Sequence, residues 1–286
     1  MTRTIVLTGA SDGIGAAAAR QLARHGHRLL LVGRSAERTA AISDELGAER
    51  FLADFTSLDQ VAGLADELRA ATDRIDVLAN NAGGIFGRRT VTADGNEQTF
   101  QVNHLAGFLL TQLLLPQLRA GDGIVVNTSS SAARLLARFD IDDLGAEHSY
   151  SPNRAYGNAK LANILHARGL LARYGATGIH PVAFDPGNVR TGFAGSGSIL
   201  RLVYRTPLAR LILISAEQGG ATLRHFVDGT PGSTWQEGAF YAETRLATAA
   251  ETNPLVHADV LVDLLWERSE ALVAPWLPPW MTTGAR

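Results

Sequence analysis

The 286-residue sequence predicts an α/β fold in which helices cover both faces of one doubly wound, mainly parallel sheet of seven strands. Short apolar runs alternate with longer stretches of helical periodicity. Strands that are apolar throughout are typical of a parallel sheet buried on both faces. With 46% hydrophobic and 19% charged residues, the chain can bury one large core.

Strand and helix patterns follow each other in regular order through the first two thirds of the chain. The predicted strands are 4–7, 29–32, 51–53, 75–79, 124–127, 179–184 and 238–242. The predicted helices run from the first glycine-rich loop to about residue 24, and over 36–46, 58–71, most of 93–118, and 156–174. Gly26 and Gly47 stand where helices are expected to end.

Residues 192–232 interrupt this alternation with two helical patterns flanked by glycines. We expect them to form a substrate loop or lid within a single domain that spans 1–286. Their apolar side chains favour an apolar substrate, although the same residues could instead pack on the core. The Pro- and Trp-rich tail, 275–280, is expected to lie on the surface.

Composition excludes several classes of function. The formal net charge of −2 gives no electrostatic footprint for nucleic acid. The absence of cysteine excludes disulfides and thiolate chemistry. Apolar runs are too short for a signal peptide or a membrane span, so we expect a cytoplasmic protein. Metal binding is not expected either, since the eight histidines lack ligand spacing and the acidic loop at 140–143 lacks a calcium-loop pattern.

A glycine-rich loop follows the first predicted strand and opens the first helix, with the sequence Thr-Gly-Ala-Ser-Asp-Gly-Ile-Gly over residues 8–15. Glycine allows a tight turn and close approach of the backbone to a pyrophosphate, which the free amides at the helix start then face. The candidate cofactor-binding residues of this loop are Gly9, Ser11, Gly13, Ile14 and Gly15. Because strand, loop and helix occur in the required order, a Rossmann-type dinucleotide site is favoured over an ordinary turn.

The residues at the end of the second strand indicate which dinucleotide the site would bind. An acidic residue here would accept hydrogen bonds from a ribose 2′-hydroxyl, but the sequence has Gly33 followed by Arg34. A guanidinium pairs with a 2′-phosphate, so Arg34 favours NADP(H) over NAD(H). The alternative is an arginine that is simply exposed to solvent after a strand.

Four segments together resemble the short-chain dehydrogenase/reductase family, and most of all its retinol-dehydrogenase-like branch. They are the glycine loop, Asn-Asn-Ala-Gly at 80–83, Tyr-Gly-Asn-Ala-Lys at 156–160, and Pro-Gly at 186–187. Each motif alone is only moderately specific, but the four stand in the family's order on the expected elements. The resemblance covers the chain from residue 8 to about residue 273, and it also implies a homodimer or homotetramer paired through helices beside the site.

The resemblance implies further cofactor contacts. Asp54, after the third strand, would contact the adenine amino group, unless it caps a turn beside Thr56 and Ser57. The turn residues Asn81, Ala82 and Gly83 would support the ribose, or have a purely structural role.

The turn after the sixth strand has two interpretations. In the family pattern, Pro186, Gly187 and Thr191 would border the nicotinamide, with Thr191 near its carboxamide. Without the resemblance, the segment could be an ordinary turn at the end of a strand.

Tyr156 and Lys160 are separated by four positions, which places both on one face of a helix. A free tyrosine is a poor base at neutral pH, but a nearby ammonium stabilises tyrosinate and lowers the phenol's pKa. The pair could then exchange a proton with an alcohol or carbonyl oxygen. By itself, this spacing more often belongs to a solvated pair.

Two partners complete the predicted set. The family pattern places its serine three residues after Asn127, which selects Ser130 from three consecutive serines; its hydroxyl would orient the substrate oxygen. The resemblance further implies that Asn103 anchors a water that links to Lys160 in a proton relay. From the sequence alone, Ser130 could cap a turn, and Asn103 could be a satisfied polar residue within a helix.

The leading hypothesis is an NADP(H)-dependent oxidoreductase that interconverts a carbonyl compound and its alcohol, with Tyr156 as general acid or base. A non-catalytic NADP(H)-binding regulator on the same fold is the alternative, and the complete set of Asn103, Ser130, Tyr156 and Lys160 argues against it. An epimerase or dehydratase of the related extended group would carry a different glycine spacing and a longer substrate domain. A serine hydrolase would need a Gly-x-Ser-x-Gly elbow around its serine, which the run at 129–131 lacks.

Overall fold

The computed structural model describes residues 2–187 and 215–279 as a three-layer α/β fold around one sheet. The strands run in the spatial order β3-β2-β1-β4-β5-β6-β7-β8. Their bounds are Thr4–Thr8 (β1), Arg28–Gly33 (β2), Glu49–Leu52 (β3), Val77–Asn80 (β4), Gly123–Thr128 (β5), Ile179–Asp185 (β6), Phe240–Ala242 (β7) and Arg245–Leu246 (β8). All neighbouring strands pair in parallel except β7 and β8. The fold class is confirmed.

The sheet has eight strands, so the prediction of seven was one short. The additional strand, β8, has only two residues and pairs antiparallel with β7 through a tight hairpin at Glu243, whose φ is 55°. This hairpin lacks the Asn-Gly or Asp-Gly signature that would reveal it in a sequence. Two residues are also too few to show an alternating pattern.

Helices pack on both faces of the sheet. The α-helices are Gly13–Arg24 (α1), Ala36–Leu46 (α2), Leu58–Ala71 (α3), Gln98–Phe100 (α4), Ala106–Leu113 (α5), Leu115–Gly121 (α6), Ala132–Leu135 (α7), Pro152–Tyr174 (α8), Ala216–Asp228 (α9) and Asp259–Val273 (α10). Short 3-10 helices occupy Gly175–Thr177, Pro254–His257 and Ala274–Trp276. In the described part of the chain, no helix is long and apolar enough to span a membrane.

Side chains of each strand alternate between two apolar cores. In β1, Val6 points to the core formed with α3, α5 and α8, whereas Ile5 and Leu7 point to the core formed with α1 and α9. All three are fully buried. The uniform burial of the central strands explains why they appear as continuous apolar runs in the sequence.

Two predicted helices, α2 and α3, have the predicted bounds because side chains cap their starts. The hydroxyls of Ser35 and Ser57 accept hydrogen bonds from the third amide of each helix. Gly47 ends α2 in the left-handed conformation, with φ 62°.

The predicted helix over 93–118 is less regular than expected. It begins at Gln98, widens into a π-helical turn over Gln101–Leu105, continues as α5, and breaks at Leu114 before α6. The π-helical turn contains Asn103.

The predicted substrate loop lies partly outside the described residues. Within its described part, α9 packs against α1, where an added Cβ on Gly220 would lie 2.8 Å from Ala17 Cβ. That helix therefore belongs to the layer that covers the sheet. The tail packs through Trp276, whose indole NH donates to Asp59 Oδ1 at 2.6 Å.

Candidate active site

The glycine loop and the turn after β4 meet at the carboxyl edge of the sheet, where the strand order reverses between β1 and β4. Gly9 and Gly13 have positive φ values of 66° and 51°. A Cβ added to Gly15 would lie 2.1 Å from Gly9 O, and one added to Gly9 would lie 2.9 Å from Ala82 Cα. Only glycine allows this close approach of the two segments at the start of α1.

Thr8, which the sequence analysis missed, holds these two segments together. Its hydroxyl donates to Ala79 O at 3.0 Å and accepts from the backbone amides of Asn81 and Ala82 at 2.9 and 3.0 Å. The side-chain amide of Asn81 donates to Thr8 O at 3.0 Å. A threonine at the end of a strand just before a glycine loop is the signal that could have indicated this role.

The end of β2 presents two arginines beside the glycine loop. Gly33 leaves no room for a side chain, because a Cβ there would lie 2.1 Å from Thr39 Oγ1. Arg34 is exposed. Arg38, one turn further along, pairs with Asp12 of the glycine loop at 3.1 Å. Arg38 was not singled out from the sequence, although its four-residue spacing from Arg34 on a helix start was visible there.

Asp54 makes the contacts of a turn cap. Its Oδ1 accepts from the backbone amide of Thr56 at 3.0 Å and from the Thr56 hydroxyl at 2.9 Å. This is the capping arrangement that the sequence analysis left open. The contact with adenine stays a prediction.

Lys160 and Tyr156 lie on α8, against the end of β5. The Lys160 Nζ atom is 5.5 Å from the centroid of the Tyr156 ring and donates to Thr128 O at 3.1 Å. Lys160 is only 3% exposed. Burial lowers its pKa to about 8, and the negative charge of Asp185 opposes that change.

Asn103 and Gly83 lie against the lysine. The Asn103 side chain accepts from the Gly84 amide at 3.0 Å and donates to Gly84 O and Thr99 O, both at 2.8 Å. A Cβ added to Gly83 would lie 2.4 Å from Asn103 Oδ1 and 3.2 Å from Lys160 Nζ. The turn after β4 therefore joins the glycine loop at one end and Lys160 at the other.

The three consecutive serines have different surroundings. Ser129 is buried and donates to Lys160 O at 2.7 Å. Ser131 hydrogen-bonds to the carboxylate of Asp185 through both its amide and its hydroxyl. Ser130, half-buried, accepts from the Ala132 amide at 3.2 Å. This leaves the Ser130 hydroxyl hydrogen to donate to another oxygen, a freedom that the family spacing alone could not show.

Asp185 organises the turn after β6. Its Oδ1 accepts from the Gly187 amide at 3.0 Å, and Gly187 has a φ of 92°. Burial raises the pKa of this carboxyl, while its hydrogen bonds to Gly187 and Ser131 oppose the change. Thr191 lies outside the described residues. Asp185 was also missed from the sequence, where it reads as the last residue of an apolar strand.

In the described part of the chain, one group of possible metal ligands lies on other elements, at the ends of α1 and α9. His25, His27 and Asp228 have ligand atoms within 4.8 Å of one another. His27 Nδ1 accepts from the Arg3 amide at 3.1 Å, so its Nε2 carries a proton, which it donates to Asp228 at 2.9 Å. A protonated ring nitrogen is not a metal ligand, and hydrogen bonds explain the group fully.

The glycine loop, the turn after β4 and the buried lysine on α8 lie together at one edge of the sheet. The sequence profile described as short chain dehydrogenase matches residues 3–198, and the chain belongs to this family. It is an oxidoreductase that acts on CH–OH or C=O groups, as its named relatives are.

Several relatives cover nearly the whole chain. It is 41% identical over 279 residues to the proposed daunorubicin C-13 ketoreductase DnrU of Streptomyces sp. (strain C5), with 95% of this chain and 92% of that protein covered. It is 31% identical to mouse retinol dehydrogenase 14, with 95% and 86% covered. Resemblance to the retinol-dehydrogenase-like branch is therefore confirmed.

Solved structures give the same fold. A protein of uncharacterised function from Mycobacterium paratuberculosis has a TM-score of 0.73 and 27% identity, and the alignment covers 95% of this chain and 93% of that one. The structure of a proposed short-chain dehydrogenase from Pseudomonas syringae has a TM-score of 0.63 and 28% identity, with 84% and 94% covered.

Proposed function

We propose that this protein is an NADP(H)-dependent oxidoreductase that reduces a ketone or aldehyde to its alcohol, or performs the reverse reaction, with Tyr156 as general acid or base. The observation that carries the proposal is the buried Lys160, held 5.5 Å from the Tyr156 ring centroid at the same sheet edge as the glycine loop. A buried ammonium there favours the phenolate and so prepares the phenol for proton transfer.

The cofactor assignment rests on the glycine loop and on charge. Gly9, Ser11, Gly13, Ile14 and Gly15 would hold the pyrophosphate through backbone amides. Exposed Arg34, with Arg38 beside it, supports a 2′-phosphate because no carboxylate ends β2.

The remaining cofactor contacts are proposed from the family pattern. Asp54 would contact the adenine, and the residues that would border the ribose and nicotinamide are Asn81, Ala82, Gly83, Pro186, Gly187 and Thr191. For Asn81, Ala82 and Gly83 the described hydrogen bonds and close approaches support this placement at the sheet edge.

The bound nicotinamide would supply or accept the hydride. In the reducing direction, Tyr156 would donate its phenolic proton to the carbonyl oxygen as negative charge develops there, and the Ser130 hydroxyl would donate a hydrogen bond to the same oxygen. Lys160 would stabilise the resulting tyrosinate and bind the cofactor ribose. Asn103 would keep the relay to Lys160 in place through its hydrogen bonds with Gly84.

The relatives favour a bulky, apolar substrate. The 41% identical DnrU is named for reduction of a ketone on daunorubicin, and other relatives are named for polyprenol and retinol. We propose a ketone or aldehyde on a large apolar molecule. This agrees with the apolar character of 192–214, which lie outside the described residues.

Assembly and location remain predictions. The homodimer or homotetramer expected from the resemblance would pair through helices beside the site, but α10 covers α5 and α8 there: the Trp266 ring lies 5.0 Å from Phe108 and packs on Gly169. Light scattering of the purified protein would measure whether it pairs. The cytoplasmic location and the lack of a nucleic-acid partner also stay as expectations.

The proposal is tested by following NADPH and NADH oxidation against a panel of apolar ketones and aldehydes, with Tyr156→Phe as the key variant. We expect NADPH to be preferred, and the variant to lose about 10²- to 10⁴-fold in kcat while binding NADPH normally. Tyr174→Phe is the matched control, since Tyr174 lies at the far end of the same helix and its hydroxyl donates to Gln112 Oε1 at 3.3 Å. Tight NADPH binding without turnover of any carbonyl would instead favour the regulator hypothesis.

A further inference from the structure

Asn163 is a buried polar residue that the reaction scheme leaves unused. It follows Lys160 by three positions on α8, so the two side chains share one face of the helix. It is 5% exposed. Its Nδ2 donates to Thr128 O at 3.1 Å and to Asn103 O at 3.0 Å. One amide therefore joins the end of β5, the π-helical turn and α8.

The Thr128 carbonyl is shared between Asn163 and Lys160. Its oxygen accepts from Lys160 Nζ and from Asn163 Nδ2, both at 3.1 Å. The second carbonyl is that of Asn103, in the π-helical turn. The Asn103 side chain lies near Lys160, with Gly83 between them. Both hydrogen bonds of the Asn163 amide group therefore end on backbone that surrounds the lysine.

The orientation of the Asn163 amide is determined by its partners. Carbonyl oxygens only accept hydrogen bonds, so the NH₂ group must face Thr128 and Asn103, and Oδ1 must face away from them. His104 Nδ1 lies 3.3 Å from Oδ1 and must carry a proton. His104 Nε2 then accepts, and Ser269 Oγ, 3.0 Å away on α10, donates to it.

This chain of hydrogen bonds requires a neutral imidazole. His104 is 1% exposed and Ser269 is fully buried. Desolvation lowers the pKa of His104 to about 4, so the ring is uncharged near neutral pH. A buried group with every hydrogen bond made is costly to rotate, because any other orientation leaves polar atoms unpaired.

We propose that Asn163 is a positioning residue that holds the Thr128 and Asn103 carbonyls around Lys160. Its orientation is fixed by His104 of the π-helical turn, which is held in turn by Ser269 on α10. The expected effect on catalysis rests on the proposed function. The chain of hydrogen bonds can be tested without turnover.

The first test uses activity and pH. Asn163→Leu keeps the side-chain size and removes the amide. We expect kcat/KM for carbonyl reduction to fall about tenfold, which corresponds to the loss of roughly one hydrogen bond that positions the backbone around Lys160. The alkaline limb of its pH profile should move to higher pH, because the Thr128 oxygen, no longer shared with the amide, then stabilises the Lys160 ammonium more strongly. Ser269→Ala should give a smaller loss, and no further loss when combined with Asn163→Leu.

Asn253→Leu is the matched control. Asn253 is 9% exposed, and its amide also donates to a backbone carbonyl, that of Ala133, at 3.0 Å. We expect this variant to lose stability without a change in the pH profile. If Asn163→Leu behaved in the same way, with an unchanged profile, Asn163 would be structural only and the positioning role would be refuted.

The second test measures the imidazole by ¹⁵N NMR, with the His104 signals assigned by their loss in His104→Phe. The native protein should show a neutral ring protonated at Nδ1. Ser269→Ala should keep this tautomer, whereas Asn163→Leu should change it to Nε2–H, which can donate to Ser269. A native ring protonated at Nε2 would overturn the proposal whatever the activity. Absence of turnover in the native protein would refute the proposed function and leave this result standing.

Discussion

Lys160→Met replaces a buried ammonium with an apolar side chain of similar length. Lys160 is 3% exposed, and its Nζ atom donates to Thr128 O at 3.1 Å. In the proposed scheme this charge supports Tyr156, so the variant should lose turnover. The same change should make the folded protein more stable.

The size of the stabilisation follows from the pKa of the lysine. Burial lowers it from 10.5 to about 8. At about 1.4 kcal/mol per pKa unit, keeping this group charged in the fold costs about 3 kcal/mol at neutral pH. Loss of the hydrogen bond to Thr128 offsets about 1 kcal/mol of the gain, which leaves about 2 kcal/mol. For a chain of 286 residues, this corresponds to a rise in Tm of roughly 3 °C.

The advantage of the variant should depend on pH with a definite sign. The folded-state pKa of Lys160 lies below its unfolded value, so between about pH 8 and 10.5 the unfolded chain binds more protons than the folded one. The native protein therefore gains stability with rising pH in this window, and the cost of the buried charge falls to about 1 kcal/mol by pH 10.

Urea denaturation of both proteins at pH 7 and pH 10 measures this difference. A stability gain at pH 7 that disappears by pH 10 is the expected result. A variant less stable than the native protein at pH 7, or a gain that is the same at both values, would show that the ammonium is not held at a desolvation cost.

Two further predictions concern the cofactor end. Gly15→Ala places a Cβ 2.1 Å from Gly9 O. It should destabilise the protein by about 2 kcal/mol or more and weaken NADPH binding in calorimetry. The control Gly63→Ala, with nothing within 4 Å of its added Cβ in α3, should stabilise the protein by about 0.5–1 kcal/mol. Arg34→Ala should raise the KM for NADPH about tenfold and leave that for NADH unchanged, while Arg50→Ala, which removes an exposed pair with Asp44, should change neither; equal effects of Arg34→Ala on both cofactors would contradict a 2′-phosphate contact.

The sequence was sufficient where local chemistry decides the structure. The bounds of α2 and α3 follow from the capping hydroxyls of Ser35 and Ser57 and from Gly47, all of which act within a few residues of the helix ends. The order of strands and helices along the chain follows from the same kind of signal.

Long-range contacts account for what the sequence did not reveal. The two-residue strand β8 is defined only by its pairing with β7. Asn103 looked like a polar residue within an ordinary helix, and no residue pattern marks the π-helical turn that contains it. Thr8 and Asp185 act through backbone atoms more than seventy and about fifty positions away, respectively, and both are located at strand ends that read as apolar.

The histidines show why the sequence alone undervalues buried polar residues. A single histidine on an apolar helix, such as His104, is more often packed than functional. It is indeed packed, 5.1 Å from the Phe100 ring, but its two nitrogens also join residues that stand 59 positions after it and 165 positions after it in the chain. Because a buried amide and a buried imidazole must each satisfy donors and acceptors, fixing one fixes the other. Helix α10 is therefore linked to the site through Ser269. Removal of the Ser269 hydroxyl should affect the surroundings of Lys160 only as long as Asn163 keeps its amide.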